Sequence, residues 1–185
     1  MGVADLLAQR RPHRADAARN FDALLVAARE VFTELGTDAS LEEIARRAGV
    51  GIATLYRHFL TREELIESVY VAEVDALCRF GDELADSDAW EALVAWLHRF
   101  VTYMGTKRAL VDGLNRESGA FRACRAALYE SGEPLLVRAQ QAGTARGDTT
   151  IDDVMRLVIG ITAVGFAGED QRERILNMAL DGIHA

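Results

Sequence analysis

Between Gly51 and His58 the chain sets Ile52, Ala53, Thr54, Tyr56, Arg57 and His58 around one apolar position, Leu55. These side chains offer methyl groups, a hydroxyl, a phenol, a guanidinium and an imidazole within two helical turns. No paired carboxylates, Cys–His set or base-activated serine accompanies them, so the chemistry they can do is recognition. Hydroxyl and phenol groups reach base edges or phosphates, a guanidinium meets phosphate, and apolar groups meet thymine methyls. Such a face suits a groove of double-stranded DNA.

Two short helices must present that face. Ser40 is placed as an N-cap and Glu43 three residues on completes a capping box. Leu41, Ile44, Ala45 and Ala48 then share one helical side, and Gly49 follows where a left-handed residue ends a helix. The next segment, about Gly51 to Phe59, turns Val50, Leu55 and Phe59 inward. A preceding helix from about Arg14 to Leu35, with Phe21, Leu24, Leu25, Ala28, Val31 and Phe32 at spacings of three and four, supplies the third wall of a small core. Thr61 and Glu64 repeat the capping pattern and start a long helix to about Ala85, with Arg62 positioned to neutralise a phosphate at its N-terminus. Residues 1–13 lack periodicity and are expected to be a flexible arm, basic through Arg10, Arg11 and, just beyond it, Arg14. The exposed face makes Ile52, Ala53, Thr54, Tyr56, Arg57 and His58 expected DNA-binding positions, with Arg62 either on a phosphate or a solvated surface charge.

Gly49 to Leu65, together with Ala27-Ala28-Arg29-Glu30-Val31-Phe32, Gly36 and Ser40-Leu41-Glu42-Glu43-Ile44-Ala45, resembles the signature of TetR-family transcriptional regulators. The likeness spans about Asn20 to Val69. Gly51 stands where family members commonly carry Ser, Ala53 where Gly is common, and Leu60 where Pro or Ser is common. The resemblance implies an all-α fold, with a helix-turn-helix bundle over residues 14–62 and an effector-binding and dimerisation domain over 63–185. It further implies a ligand-responsive repressor that binds a palindromic operator as a homodimer, and it alone adds Ser40 and Gly51 to the DNA-binding positions.

Charge divides along the same line. The chain carries −8 overall, but residues 1–62 hold nine Arg against eight Asp and Glu, a net of +1, so the acidity belongs to the remainder. Such a division leaves the N-terminal part free to approach a polyanion. In the remainder, Asp88 opens a helix to about Thr106 that is apolar nearly all round, which places it at the centre of a bundle. Trp96, Phe100, Tyr103 and Met104 on it, with Phe121, Cys124 and Leu128 on the next long helix, are the expected effector-binding positions; the same stripe also serves as plain core. Gly132-Glu133-Pro134 is expected to kink or interrupt that next helix. Helices over about 152–165 and 170–183 are more hydrophobic than one buried face requires. Met155, Val158, Ile159, Thr162, Ile175 and Met178 are the positions expected to form a two-fold interface, with internal packing as the alternative.

Cys78 and Cys124 sit in apolar helical contexts and read as reduced thiols rather than a disulfide. No signal peptide is evident, and the run Leu157 to Gly168 is too short to span a bilayer at ~20 residues, so a cytoplasmic location is expected, with no membrane partner. His13, His58, His98 and His184 are scattered without metal-ligand spacing, and Ser118 and Ser131 lack a nucleophile-elbow context. Neither cofactor nor metal is called for. The competing readings are a helical dimeric interaction module or a small helical enzyme, neither touching DNA.

Overall fold

Helix ends in this chain are closed by side chains and glycines placed where the free backbone groups need them. The computed structural model describes residues 2–185, and these form nine α-helices and no β-strand. They divide into two compact units: Met1–Asp75 with Gly105–Arg125, and Ala76–Met104 with Ala126–Ala185. The sequence places a domain boundary after Arg62, whereas the first unit runs on to Asp75 and takes in the later segment.

In the first unit, α1 (Val3–Arg10) occupies the stretch expected to be a flexible arm. The Gly2 amide donates to the Asp5 carboxylate at 2.9 Å, and Val3 and Leu6 are buried. Two apolar side chains one turn apart suffice to dock so short a helix, a signal hidden among the arm's charges. After α2 (Ala15–Leu35) the chain turns at Gly36, whose φ of 80° is the left-handed geometry glycine permits. α3 (Leu41–Arg47) starts on Ser40, whose hydroxyl accepts from the Glu43 amide at 3.1 Å. It ends at Gly49, φ 69°, with the Val50 amide reaching Ala45 and the Gly49 amide reaching Arg46. That pair of bonds is a Schellman closure. α4 (Ile52–His58) and the N-terminal part of α5 (Arg62–Glu83) complete the bundle around Phe21, Leu24, Ala28, Val31, Phe32, Ile44, Leu55, Phe59 and Leu65, all buried.

The capping box expected at Thr61 forms with a shift. Its hydroxyl accepts from the Glu64 amide at 3.1 Å, but the Glu64 carboxylate reaches the amide of Leu60 at 2.9 Å. The Glu43 carboxylate, expected to return to Ser40, instead faces arginines on its own helix.

In the second unit, Asp88 accepts from the amides of Trp90 and Glu91 and opens α6 (Ala89–Leu110), which runs four residues past its expected end to a 3-10 turn at Val111–Gly113. Trp96 is fully buried and stacks on Phe100, ring centroids 5.6 Å apart. α7 (Gly119–Gln141) is one continuous helix with Pro134 inside it, so the expected interruption does not occur. Glu130, Glu133 and Pro134 are all exposed, and the carbonyl that proline leaves unpaired can turn to water. Gly132 has a different purpose: a Cβ there would lie 2.9 Å from both Trp96 Cη2 and Ile151 Cδ1. Thr150 and Asp153 form a complete capping box for α8 (Ile151–Thr162), and α9 (Glu169–Ile183) follows. Both cysteines are free thiols, Cys124 buried and Cys78 half-buried. Among the described residues, no helix is long and apolar enough to cross a membrane.

Gly132→Ala should therefore force Trp96 or Ile151 from its place and lower unfolding free energy by about 1–3 kcal/mol, read as a reduced urea midpoint at unchanged m-value.

Candidate nucleic-acid interface

The inner face of α4 is set by three rings. Phe59 stacks on Phe21 with centroids 5.2 Å apart and planes at 28°, and His58 meets the Phe21 ring edge-on at 5.9 Å. With Leu55 fully buried beside them, the helix cannot roll about its axis without breaking this packing. Its outer face follows by geometry. Ala53, Tyr56 and Arg57 are exposed, Tyr56 at 47%, while Ile52, Thr54 and His58 lie partly exposed at the flanks. Gly51 is an exposed, extended N-cap with no side chain to cap with. Leu60, outside the expected set, is 77% exposed and adds apolar surface just past the helix.

Several expected phosphate ligands are otherwise engaged. Arg62 donates through Nη1 to the carbonyls of Thr37, at 2.7 Å, and Ala39, at 2.5 Å, and so ties the start of α5 to the loop before α3. A guanidinium satisfies two carbonyls that the tight α2–α3 connection would leave bare. Sequence spacing reveals the charge of Arg62 but not that loop, so its structural role is visible only in the fold. Arg10 is ion-paired to Glu67 and donates to Ser68 Oγ at 2.9 Å, and Arg11 forms a two-pronged bond with Asp22 at 2.6 and 2.8 Å. Arg14, by contrast, stays exposed, and no carboxylate among the described residues pairs with it.

On α3, Glu43 takes Arg46 at 2.7 and 2.8 Å and Arg47 at 2.8 Å, and Arg47 also reaches Glu34. Hydrogen bonds from Arg46 and then Arg47 hold the Glu43 carboxyl down to about 2. Burial against Phe21, helped by the charge of Arg57, pushes the His58 imidazole below its ordinary 6.5. His58 is thus mostly neutral near pH 7 and serves as a hydrogen-bonding group. Arg57 remains the cation of α4, and no carboxylate among the described residues pairs with it.

The expected effector positions fall in both units. Trp96, Phe100, Tyr103 and Leu128 are buried in the second, with Met104 half-buried there. Phe121, half-buried, and Cys124, buried, belong to the first, where Phe121 stacks on Tyr70. Within the second unit, Trp96 Nε1 and Ser131 Oγ are buried without a hydrogen-bond partner. A Cβ at Gly81 would lie 2.6 Å from that Ser131 oxygen and 3.3 Å from Trp96 Nε1, so both polar atoms lie close against the Gly81 backbone.

Of the expected interface positions, Met155, Val158 and Thr162 are buried within their own unit, which corrects their assignment. Ile151, Val154 and Val158 repeat at three and four and carry Met155 and Thr162 inward with them. Ile159 and Met178 are exposed, Met178 at 73%, and Ile175 is half-buried. Leu157 and Val164, not singled out by pattern, are also exposed, Val164 at 76%. The excess of apolar residues over one buried face is the signal that locates them.

Comparison with known proteins agrees with this geometry. Residues 24–69 match the model of bacterial regulatory proteins of the tetR family, and residues 88–185 match the C-terminal domain of SbtR-like transcriptional regulators. Among solved structures, the TetR transcriptional regulator SCO0520 from Streptomyces coelicolor is 39% identical, covering 89% of this chain and 98% of its own, with a TM-score of 0.79. A TetR regulatory protein from Mycobacterium vanbaalenii is 32% identical over 94% of this chain and 100% of its own, TM-score 0.77. The HTH-type transcriptional regulator SrpR of Pseudomonas putida is 26% identical over 95% of this chain and 88% of its own length.

Arg62→Ala should leave the Thr37 and Ala39 carbonyls unpaired and cost about 1.5–3 kcal/mol, measured by urea unfolding. The Glu43 carboxyl titrates lower in the folded chain than its ordinary 4.5, so its stabilisation is complete above about pH 4.5 and fades as pH falls toward about 2. Unfolding free energies from pH 7 down to 2 should therefore decline less steeply for Glu43→Gln than for the parent chain.

Proposed function

The chain belongs to the TetR family of bacterial regulatory proteins, and from that premise we propose a homodimeric, ligand-responsive repressor of the cytoplasm that binds a palindromic operator through α4. The observation that carries this reading is the anchoring of Leu55 and Phe59, which leaves Ala53, Tyr56 and Arg57 outward on one helix. Thr54 and Tyr56 take base edges or phosphates, Ala53 and Ile52 face thymine methyls, and Arg57 takes a phosphate. His58 contributes as a neutral hydrogen-bonding group at the rim.

Dimerisation is assigned to α8, α9 and the segment between them, where Leu157, Ile159, Val164 and Met178 expose apolar surface. Two such helix pairs across a two-fold axis make a four-helix seam. The axis spaces the two copies of α4 for half-sites about 34 Å apart or a multiple of that.

Ligand response is supported by the polar atoms of Trp96 and Ser131. A buried donor without a partner costs about 1–3 kcal/mol, and a ligand oxygen that reached either group would remove that cost. An effector held by Trp96, Phe100 and Tyr103 then favours one orientation of α5, and with it a spacing of the recognition helices that no longer fits the operator. Near-complete release requires that it bind the released state about 10⁴-fold better.

The test is binding to palindromic DNA from upstream of the chain's own gene across a salt series. Log affinity should fall linearly with log salt, and Arg57→Ala should weaken binding while making that slope shallower by about 0.9 for each phosphate no longer neutralised. A dimer that ignores DNA at low salt would instead be an interaction module.

A further inference from the structure

Residues 105–125 of the first unit gather positive charge around an aromatic pair. Lys107, near the end of α6, is half-buried and holds its Nζ 5.4 Å from the centre of the Phe121 ring. Phe121 in turn stacks on buried Tyr70 of α5, centroids 5.4 Å apart and planes at 13°. Arg116 and Arg125 both act on Lys107, and neither is a counter-charge. Burial first, and these like charges next, push the ammonium below its ordinary 10.5, with Cys124 acting in the other direction. No carboxylate among the described residues pairs with Lys107. An aromatic face attracts an ammonium but accepts none of its hydrogen bonds as an anion would.

Lys107 and Arg116 flank the Val111–Gly113 turn, and that turn is pressed against the helix that follows α4. A Cβ on Gly113 would collide with Ile66 Cδ1, so glycine is what allows the approach. Ile66 sits one turn beyond Arg62, the residue that holds the loop before α3.

We propose that Lys107, together with Arg116, binds an anionic effector, a carboxylate or a phosphate, within the first unit. The assignment rests on the ligand-responsive reading above. An anion there replaces repulsion between the two cations with a shared attraction, draws both ends of the turn together, and shifts it against Ile66. Operator affinity falls in consequence. Arg116 is exposed and completes the site from its rim, with Lys107 half-buried.

The test titrates the full-length chain with inorganic phosphate and, separately, with benzoate, at an ionic strength matched by chloride. The Lys107 ammonium is followed by NMR and operator affinity by fluorescence anisotropy. Saturable binding that raises the Lys107 pKa and weakens operator binding tenfold or more supports the proposal, and the more effective probe distinguishes phosphate from carboxylate. Lys107→Met should abolish both responses, Lys107→Arg should retain them, and Arg116→Gln, at an exposed position, should weaken them several-fold. The site is overturned if neither probe gives a saturable response distinct from chloride, or if binding leaves operator affinity unchanged. Operator binding in chloride alone tests the DNA-binding reading independently. A neutral compound that releases Lys107→Met from DNA would preserve ligand response while refuting this site.

Discussion

The stack of Phe59 on Phe21 decides what the N-terminal unit can touch. α4 is only two turns long, and a helix of that length has little stability of its own. Its rotation is fixed from outside, by Phe59 beyond its end and Leu55 within it, both buried against α2 and its neighbours. Every property assigned to the outer face follows from that anchoring. Had Leu55 and Tyr56 exchanged places, the same residue types would present a different and less polar surface. Arg62 provides the second constraint, because its two carbonyl bonds join α5 to the loop ahead of α3. Together the ring stack and the guanidinium tie the helix pair firmly to the start of α5.

Charge is managed locally. Six of the nine arginines in residues 1–62 are answered by a carboxylate nearby: Arg10 by Glu67, Arg11 by Asp22, Arg19 by Asp16, Arg29 by Glu73, and Arg46 and Arg47 by Glu43. Exposed pairs of this kind contribute little to stability, but they remove cations from the general field and leave Arg57 conspicuous. On a chain of net charge −8, attraction to DNA then depends on where the uncompensated cations sit rather than on how many there are.

The sequence disclosed helix order, the Gly49 turn and the outward set on α4 because each is carried by local spacing. Ser40, Gly49, Leu55 and Phe59 needed no knowledge of distant residues. What it concealed depended on long-range partners. Arg62 reads as a free cation until Thr37 and Ala39 are seen beside it, and His58 as an outward group until it meets Phe21. The arm reads as unstructured because only Val3 and Leu6 in it are buried and the carboxylate that pairs with Arg10, Glu67, lies far along the chain. Gly132 and Pro134 read together as a break, whereas one makes room for Trp96 and the other faces solvent. On α8, pattern supplied the right number of apolar residues but not which of them the protomer keeps, and Met155 and Val158 proved to be its own core.

The outward orientation of α4 on DNA is open to direct measurement. A single cysteine introduced as Ala53→Cys and loaded with an iron chelate should cleave bound operator DNA, with the unlabelled chain as control. Cuts clustered in two major-groove patches, related by two-fold symmetry and about 34 Å or a multiple apart, are the result expected. Cleavage confined to the minor groove or scattered without symmetry, or a cysteine too buried to take the label, would contradict the account.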